Sequence, residues 1–327
     1  MGTFYHDPRW ICEVQSAFGY RVHWLLAERG GAPSGGLALA EVPSLLGRRR
    51  LVSFPFSFVA GPMAEDEATD AALAEAARSL AADRGIARVE IRRPATAVPS
   101  PAGFVRSARY TTYRISTREG AAAVWSRLHD TSTRQRIRKG ERAGTTAEMT
   151  DAEADWMAFI RMVEDTQRGH GVPAPPRRFF LDSCRRLQRA GILDLWVARV
   201  PAGAVAAAFV VLKGPREWVY GFSSADPAWV REFRATHVLL WAAIRRAAEA
   251  GVVFDLGRTA AEQVTLAEFK QRWGADPATL AYDYWPGAAG LHEARRDTGP
   301  LAWAARLWSL LPAPVARAGS VFYRYLG

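Results

Sequence analysis

The sequence has little cysteine and no long apolar run, and each scarcity excludes a class of protein. Only Cys12 and Cys184 occur in 327 residues, so neither a disulfide framework nor a zinc site is supported, and we expect no metal. No apolar run approaches the roughly 20 residues that span a bilayer, and the first residues, MGTFYHDPRW, lack the features of a signal peptide. The composition predicts a cytoplasmic protein, with contact to a membrane surface left open.

Lysine is also scarce, although the chain is strongly basic. Of 43 basic residues, only Lys139, Lys213 and Lys270 are lysines, which leaves 43 − 3 = 40 arginines, a bias that fits a GC-rich genome. The formal charge of +10 predicts an anionic partner. Nucleic acid, a phosphate-bearing small molecule and an acidic lipid surface all fit. A lysine that persists in such a chain is of interest because its pKa shifts readily on burial.

The chain is long enough for two lobes, each with a buried core, at 327 residues and 49% hydrophobic content. From residue 143 onward, strand-like and helix-like segments alternate, with PAG and GP as turn signals. The predicted order is β-α-α-β-β-β-α-β-α-β. Its central strands, LDLWVARV, AVAAAFVVLK and EWVYGFSS, resemble an antiparallel meander.

The first half contains a weaker copy of part of this pattern. The strand RRRLVSFPFSFVAGP, a helix ending in Gly85 and the strand IARVEIRRP repeat the order of EWVYGFSSADP, a helix ending in Gly251 and VVFDLGRTA. A tandem duplication explains the repeat most economically. The alternative is that any α/β protein produces such trios by chance.

A basic segment joins the two halves. We predict a strand in YTTYRIST and then one helix in EGAAAVWSRLHDTSTRQRIRKGERAG. Arg134, Arg138 and Arg142 recur at i, i+4 and i+8 and would share one helix face, which Arg136 and Lys139 widen. Such a face suits contact with phosphate or nucleic acid, and a solvated helix surface is the alternative.

Several strings are more specific than the order of elements. In the second half they are VYGFSS, FDLGRT with EFKQRWG shortly after it, and YDYW; in the first half they are LVSFPFSFVAGP and TSTRQRIRKGERAG. Together they resemble the FemABX aminoacyl transferases of the GNAT superfamily. The tail RLWSLLPAPVARAGSVFYRYL resembles a bacterial subgroup associated with exopolysaccharide and PEP-CTERM gene clusters.

The resemblance implies an α/β (α+β) fold of tandem GNAT-like lobes, each a mixed, largely antiparallel sheet flanked by helices. It implies a first lobe with the basic connector helix over residues 1–142 and a second lobe over 143–285. Residues 286–327 would form a tail that packs back on the first lobe.

The resemblance also implies a reaction. FemABX enzymes, as a family, move an amino acid from aminoacyl-tRNA to an amine of a cell-wall precursor or a peptide-like natural product. The expected partners are therefore aminoacyl-tRNA and an amine-bearing acceptor, without a cofactor, and a monomer is favoured. The residues expected to contact tRNA are Arg134, Arg138, Lys139 and Arg142.

Lys270 in EFKQRWG matches the family's FK lysine, which implies that its ammonium stabilises the oxyanion or the leaving ribose oxygen. The alternative is a surface lysine with its stem against Trp273. Asp255, the second expected catalytic residue, follows apolar residues in VVFDLGR and needs a partner. A structural ion pair with Arg258 is favoured. Otherwise Asp255 would accept the amine's proton while Arg258 binds a phosphate or carboxylate.

The remaining candidates are expected to bind substrate. Tyr220 and Ser223 in VYGFSS alternate along one strand and would hydrogen-bond the acceptor. Arg168 and His170 lie in a loop that resembles the family's acceptor-side segment, and a solvated His170 is the alternative. Ser53 would line the opposite wall of the cleft.

Two other functions fit parts of the sequence. An acyl-CoA-dependent GNAT N-acyltransferase holds the CoA pyrophosphate on a glycine-containing turn, but here Arg234 and Thr236 replace the two small positions. A non-catalytic scaffold on an acidic membrane would use the tail, unless the tail packs on its own lobe. The residues that suggest it are Trp303, Trp308, Leu310, Leu311, Phe322 and Tyr325 with Arg306, Arg317 and Arg324.

Overall fold

The structure is a computed structural model that describes residues 2–44, 47–94, 99–298 and 302–327, without the side chains of 293–298 and 302–304. Trp303, noted in the tail, has its side chain outside the described residues. Contacts divide the chain into two compact units. Unit 1 comprises Met1–Thr111, Ala278–Ala305 and Val321–Gly327; unit 2 comprises Thr112–Pro277 and Arg306–Ser320. The division expected at residues 142 and 285 stays a prediction, because compact units need not be separately folding lobes.

Unit 1 is built on a mixed sheet ordered β1-β2-β3-β5-β12-β6, with β4 beside β2. Its strands are β1 (Arg21–Arg29), β2 (Ala32–Pro43), β3 (Arg49–Val52), β4 (Met63–Ala64), β5 (Arg88–Pro94), the first part of β6 (Val105–Ile115) and most of β12 (Asp276–Trp285). β3 and β5 pair in parallel, whereas β1–β2, β2–β3 and β5–β12 pair antiparallel. The helical segments are Phe4–His6, α1 (Pro8–Phe18), α2 (Glu67–Asp83), α10 (Gly287–Thr298), the start of α11 (Ala302–Ser309) and the end of Gly319–Leu326.

In unit 2 the strand order is β6-β11-β10-β9-β8-β7. Its further strands are β7 (Thr146–Thr150), β8 (Leu193–Arg199), β9 (Val205–Lys213), β10 (Glu217–Ala225) and β11 (Val253–Ala260). The predicted meander β8-β9-β10 is confirmed as antiparallel. The helices are α3 (Gly120–Arg127), α4 (Gln135–Arg142), α5 (Glu153–Gly169), α6 (Arg185–Arg189), α7 (Pro227–Phe233), α8 (Ala235–Glu249), α9 (Val264–Gln271) and α12 (Ala313–Ala318), with π-helical turns at Asp130–Arg134 and Phe179–Cys184.

Both units contain a parallel strand pair joined by a crossover helix. The pairs are β3-α2-β5 and β10-α8-β11. Each crossover helix is followed by a glycine with positive φ, Gly85 at 59° and Gly251 at 67°, as a left-handed helix end requires. The predicted fold, with mixed and largely antiparallel sheets flanked by helices, is confirmed in both halves.

The crossover helices carry the core of each unit. α2 buries Leu73, Ala74 and Ala77 in a cluster with the unit 1 sheet. α8 buries Leu239 and Ile244, among others, against the unit 2 sheet. Each fully buried leucine or isoleucine contributes about 2 kcal/mol of transfer free energy, so these packed faces hold the strands that position the site.

The basic connector is not the single helix that the sequence predicted. α3 is followed by Leu128 in an extended conformation with ψ of 138°. The next residue, His129, caps a new helical turn because its Nδ1 accepts the N–H of Ser132 at 3.3 Å. The predicted arginine face is therefore interrupted at Arg134, which lies in the π-helical turn and pairs with Asp130 at 3.2 Å.

Candidate active site

The parallel strands β10 and β11 pair over only a small part of their length. It joins Glu217 to Val253, Trp218 to Phe254 and Val219 to Asp255, whereas β10 and β11 run on to Ala225 and Ala260. Past these pairs, β10 keeps its other neighbour, β9. In this fully described region no ladder joins β10 to β11 beyond Val219 and Asp255, so backbone groups on that part of β11 need other partners.

Lys270 binds the backbone of β11 in this region. Its Nζ donates hydrogen bonds to the carbonyls of Gly257 at 2.7 Å and Arg258 at 3.3 Å. The ammonium also lies 5.7 Å from the centre of the Tyr113 ring, a cation–π distance. Only 4% of Lys270 is exposed, so the alternative of a surface lysine is wrong.

Burial also changes the acidity of Lys270. Loss of hydration lowers its pKa from 10.5 to about 8; the negative charge of Asp255 opposes the shift and the positive charge of Arg258 adds to it. At pH 7 the ammonium therefore exceeds the free amine by about tenfold. A group with this pKa can both donate and accept a proton close to neutral pH, which general acid–base catalysis requires.

Asp255 lies beside this lysine and is fully buried. Its carboxylate accepts hydrogen bonds from the hydroxyl of Thr112 and from the N–H of Gly257 at 2.7 Å. Its ion-pair partner is Arg114, whose Nε lies 3.2 Å away. The favoured pairing with Arg258 is thus corrected. Thr112 and Arg114 are two residues apart on β6 and face Asp255 together, whereas the side chain of Arg258 is exposed.

Arg114 also forms an ion pair with a second carboxylate. Its guanidinium lies 3.3 Å from Glu217 at the start of β10. Burial raises the pKa of Glu217, with Arg114 opposing the shift and Asp255 reinforcing it. Burial likewise raises the pKa of Asp255. The hydrogen bonds from Thr112 and Gly257 and the positive charge of Arg114 lower it, but their effect is smaller. One guanidinium therefore pairs with fully buried Asp255 and partly buried Glu217, a role that the Thr-x-Arg spacing in YTTYRIST could have suggested.

Tyr220 and Ser223 share one face of β10 because the strand bulges between them. Tyr220 pairs with Val211 and Ser223 with Phe209, so three residues on β10 correspond to two on β9. A hydrogen bond joins the two side chains, although burial has the larger effect and raises the pKa of Tyr220. The structure therefore brings these two predicted residues together through the bulge, which simple alternation would not achieve.

His237 on α8 is a candidate that sequence reasoning missed. Its ring lies 6.1 Å from Phe269 and 5.9 Å from Trp273. Burial, followed by the charges of Arg136 and Arg234, lowers its pKa to about 4, so the imidazole is neutral at physiological pH. Within the described part of the chain, no three His, Cys, Asp or Glu side chains form a group suited to a metal ion.

Three predicted substrate residues lie in other surroundings. His170 is exposed at the end of α5, as its alternative interpretation had it. Arg168 pairs with Asp165 at 3.2 Å and lines a cleft of about 190 Å³ whose lining does not include Lys270. Ser53, in unit 1, is fully buried, and its hydroxyl accepts the backbone N–H of Arg92 at 2.7 Å.

The exposed basic residues of the connector lie on α4. Arg138, Lys139 and Arg142 face solvent there, and Arg138 lies 5.4 Å from the ring of Trp125. The opposite face of α4 packs tightly at Gly140, where an added Cβ would lie 2.6 Å from Val238 on α8. The cationic surface therefore lies on a helix that packs closely against α8.

The segment that corresponds to a CoA pyrophosphate turn is helical. α7 leads directly into α8 through Arg234, which has a φ of 50° in the left-handed region. The carbonyl of Phe233 accepts a hydrogen bond from the hydroxyl of Thr145 at 2.8 Å. A long side chain thus stands where a glycine would let a phosphate approach the helix N-terminus.

Residues 127–271 match the model of the family described as "Acetyltransferase (GNAT) domain". The match includes Lys270, Asp255 and the connector helix α4, and lies within unit 2. A search of curated protein sequences finds no match to the chain.

Three solved structures resemble the chain over most of its length. FemX has 12% sequence identity and a TM-score of 0.63, with 86% of this chain and 94% of FemX covered. The C-terminal domain of a putative lysylphosphatidylglycerol synthetase from Agrobacterium fabrum has 15% identity and a TM-score of 0.59, with 88% and 90% covered. A tandem GNAT protein from the clavulanic acid biosynthesis pathway has 12% identity and a TM-score of 0.51, with 80% and 82% covered. At these identities the likeness concerns the fold: the chain has a fold similar to that of FemX and of a tandem GNAT protein, and residues 127–271 match the GNAT domain model.

Proposed function

We propose that the chain is an aminoacyl-tRNA-dependent acyltransferase that forms an amide bond with an amine of a cell-wall precursor or a peptide-like natural product. The observation that carries the proposal is Lys270, a buried ammonium with a pKa of about 8 in a GNAT domain. The fold supports acyl transfer, and the name of the lysylphosphatidylglycerol synthetase relative supports an aminoacyl group as cargo.

The reaction needs the proton exchange that such a lysine provides. The acceptor amine attacks the ester carbonyl, a C–N bond forms, the C–O bond to the ribose breaks, and the amine's proton ends on the leaving hydroxyl. In this proposal the ammonium of Lys270 stabilises the oxyanion and protonates the ribose oxygen. The free amine so formed then takes the proton that the acceptor nitrogen releases. Asp255 acts as a positioning residue, because its charge keeps Lys270 protonated near neutral pH.

The exposed basic surface of α4 would hold the tRNA. The double variant Lys139→Gln/Arg142→Gln should raise the KM for charged tRNA and reduce the salt slope of binding by about 1.4 to 1.8, because each lost phosphate contact removes about 0.7 to 0.9. Arg189→Gln/Arg245→Gln removes two other exposed arginines and is the matched control. Equal effects of the two pairs would refute a specific role for α4.

One assay tests both the identity of the acyl donor and the role of Lys270 in the reaction. The purified chain is incubated with mixed charged tRNA, or with acyl-CoA thioesters, and a panel of amines, and products are identified by mass spectrometry. We expect amides from the tRNA arm, and their loss in Lys270→Met but not in Lys213→Met, which removes a lysine bound to Asp194. Products from the CoA arm alone would favour the acyl-CoA alternative. Unchanged transfer by Lys270→Met would refute the mechanism.

A further inference from the structure

The end of unit 2 carries a surface that the proposed reaction does not use. Two short helices, the C-terminal part of α11 and α12, join there, and we call them the tail helices. α12 packs on α5 through Ala316, which is 9% exposed. The ring of Trp308 packs directly against Gly319, where no side chain could be added without collision. The tail helices therefore have one face that is packed against the rest of the unit.

The tail helices and the turn between them also expose large apolar side chains. Leu307 is 58% exposed, Leu310 is 76% exposed and Val315 is 52% exposed. Single exposed leucines are ordinary on soluble proteins, but here three large apolar side chains are exposed within nine positions of the chain, and we call these three residues the patch. Folding leaves this patch uncovered although the neighbouring Trp308 and Ala316 are packed.

The charges around this patch are positive. Arg306 and Arg317 lie on the tail helices, and the sequence has no acidic residue after Asp297. The cleft beside the patch, about 190 Å³, is lined by Arg161, Arg168 and Arg177 together with Arg317 and Trp308.

The two acids of the cleft are already bound. Glu164 accepts two hydrogen bonds from Arg177, at 2.6 and 2.8 Å, and Asp165 pairs with Arg168 at 3.2 Å. With four arginines and two acids, the lining carries a net charge of 4 − 2 = +2. Exposed Arg161 forms no hydrogen bond or ion pair among the described residues.

We propose that the tail helices dock on an anionic phospholipid bilayer, with Leu307, Leu310 and Val315 entering the interface and the arginines of the cleft facing lipid phosphates. Apolar side chains beside an excess of cations over carboxylates are the composition of segments that lie in a membrane interface. No helix in the described ranges is both long and apolar enough to span a bilayer, so the contact is made at the surface. An acidic protein would match the charge but not the exposed leucines.

The test is co-sedimentation of the full chain with vesicles of phosphatidylcholine alone or mixed with phosphatidylglycerol. We expect binding to the anionic vesicles, weakened on the order of a hundredfold or more by Leu307→Glu/Leu310→Glu because two leucines no longer enter the interface. Leu26→Glu, at a leucine of β1 that is 62% exposed, is the matched control and should bind like the parent chain. Arg161→Gln should weaken binding about fivefold. Thermal unfolding shows whether each variant is folded.

Several results would overturn the proposal. They are equal binding to neutral and anionic vesicles, equal losses in the Leu26 and the Leu307/Leu310 variants, or a parent chain that stays in the supernatant. A concentration-dependent dimer that Leu310→Glu disperses, without vesicle binding, would assign the patch to a second copy of the chain. Transfer between soluble substrates does not involve this surface, so a failure here and a failure of the proposed reaction are distinguishable.

Discussion

Replacing Lys270 by methionine should change how the stability of the chain depends on pH. The folded-state pKa of Lys270 is about 8, below its ordinary value of 10.5. Between these two pH values the unfolded chain binds more protons than the folded chain, so the free energy of unfolding of the parent rises with pH in this window. Lys270→Met removes the titrating group and with it this rise.

The magnitude follows from the two pKa values. At pH 7 the buried ammonium costs the folded state about 3 kcal/mol, and at pH 10 less than about 1 kcal/mol. The parent should therefore gain about 2 to 3 kcal/mol relative to Lys270→Met between these pH values. The variant also leaves the carbonyls of Gly257 and Arg258 without their donor, but that loss does not depend on pH and cancels in the comparison.

The assay is urea unfolding of both proteins at pH 7 and pH 10, with the difference between them compared across pH. Lys139→Met, which removes an exposed ammonium on α4, controls for the loss of a lysine as such. A difference between parent and Lys270→Met that changes by less than about 0.5 kcal/mol would mean that the ammonium is not buried as described, and the chemistry assigned to it would fail as well.

Three further changes test other contacts in unit 2. Arg114→Met should lower the free energy of unfolding at pH 7 by about 2 kcal/mol, because buried Asp255 loses its cation; the partial exposure of Arg114 keeps the value below that of a fully buried pair. Gly140→Ala should cost about 1 to 3 kcal/mol by pushing α4 from α8, whereas Gly169→Ala, with open space around the added Cβ, should cost nothing. Tyr220→Phe should raise the KM for the acceptor amine about three- to tenfold with little change in kcat, because one hydrogen-bonding hydroxyl is lost.

Each of these three has a result that contradicts it. Unchanged urea stability in the Arg114 variant would mean that Asp255 does not depend on that cation. Equal stability of the two alanine variants would remove the argument for close packing at Gly140. A Tyr220→Phe enzyme with a lowered kcat and an unchanged KM would place the hydroxyl in the chemical step instead of in binding.

Local patterns were enough to predict the crossover helices and the meander. α2 and α8 combine a continuous apolar face with a glycine just past the end, and these signals are contained within each segment. The break in the connector could not be predicted in this way. It depends on the N–H of His129 donating to the carbonyl of Arg272 at 2.9 Å, a contact between distant parts of the chain.

The site shows the same limit. Asp255 was identified correctly as a buried acid in need of a partner, but its cation comes from β6 and not from its own strand. The sequence did not reveal the burial of Lys270 either, because its hydrogen-bond acceptors are carbonyls of β11, which is distant in sequence from EFKQRWG. The sequence was enough to identify the reactive groups. Their pKa values, however, are set by partners that are distant in sequence and meet only in the folded chain.

The burial of Lys270 in a chain with only three lysines gives the protein an intrinsic chemical probe. Amine-directed labelling read by mass spectrometry has few targets here. Lys139 is exposed, Lys213 is partly covered by Asp194, and Lys270 is shielded although near pH 8 about half of it is in the nucleophilic form. The labelling rate of Lys270 relative to Lys139 therefore reports how often the site opens, and a ligand that seals or exposes the site would be detected without knowledge of the reaction.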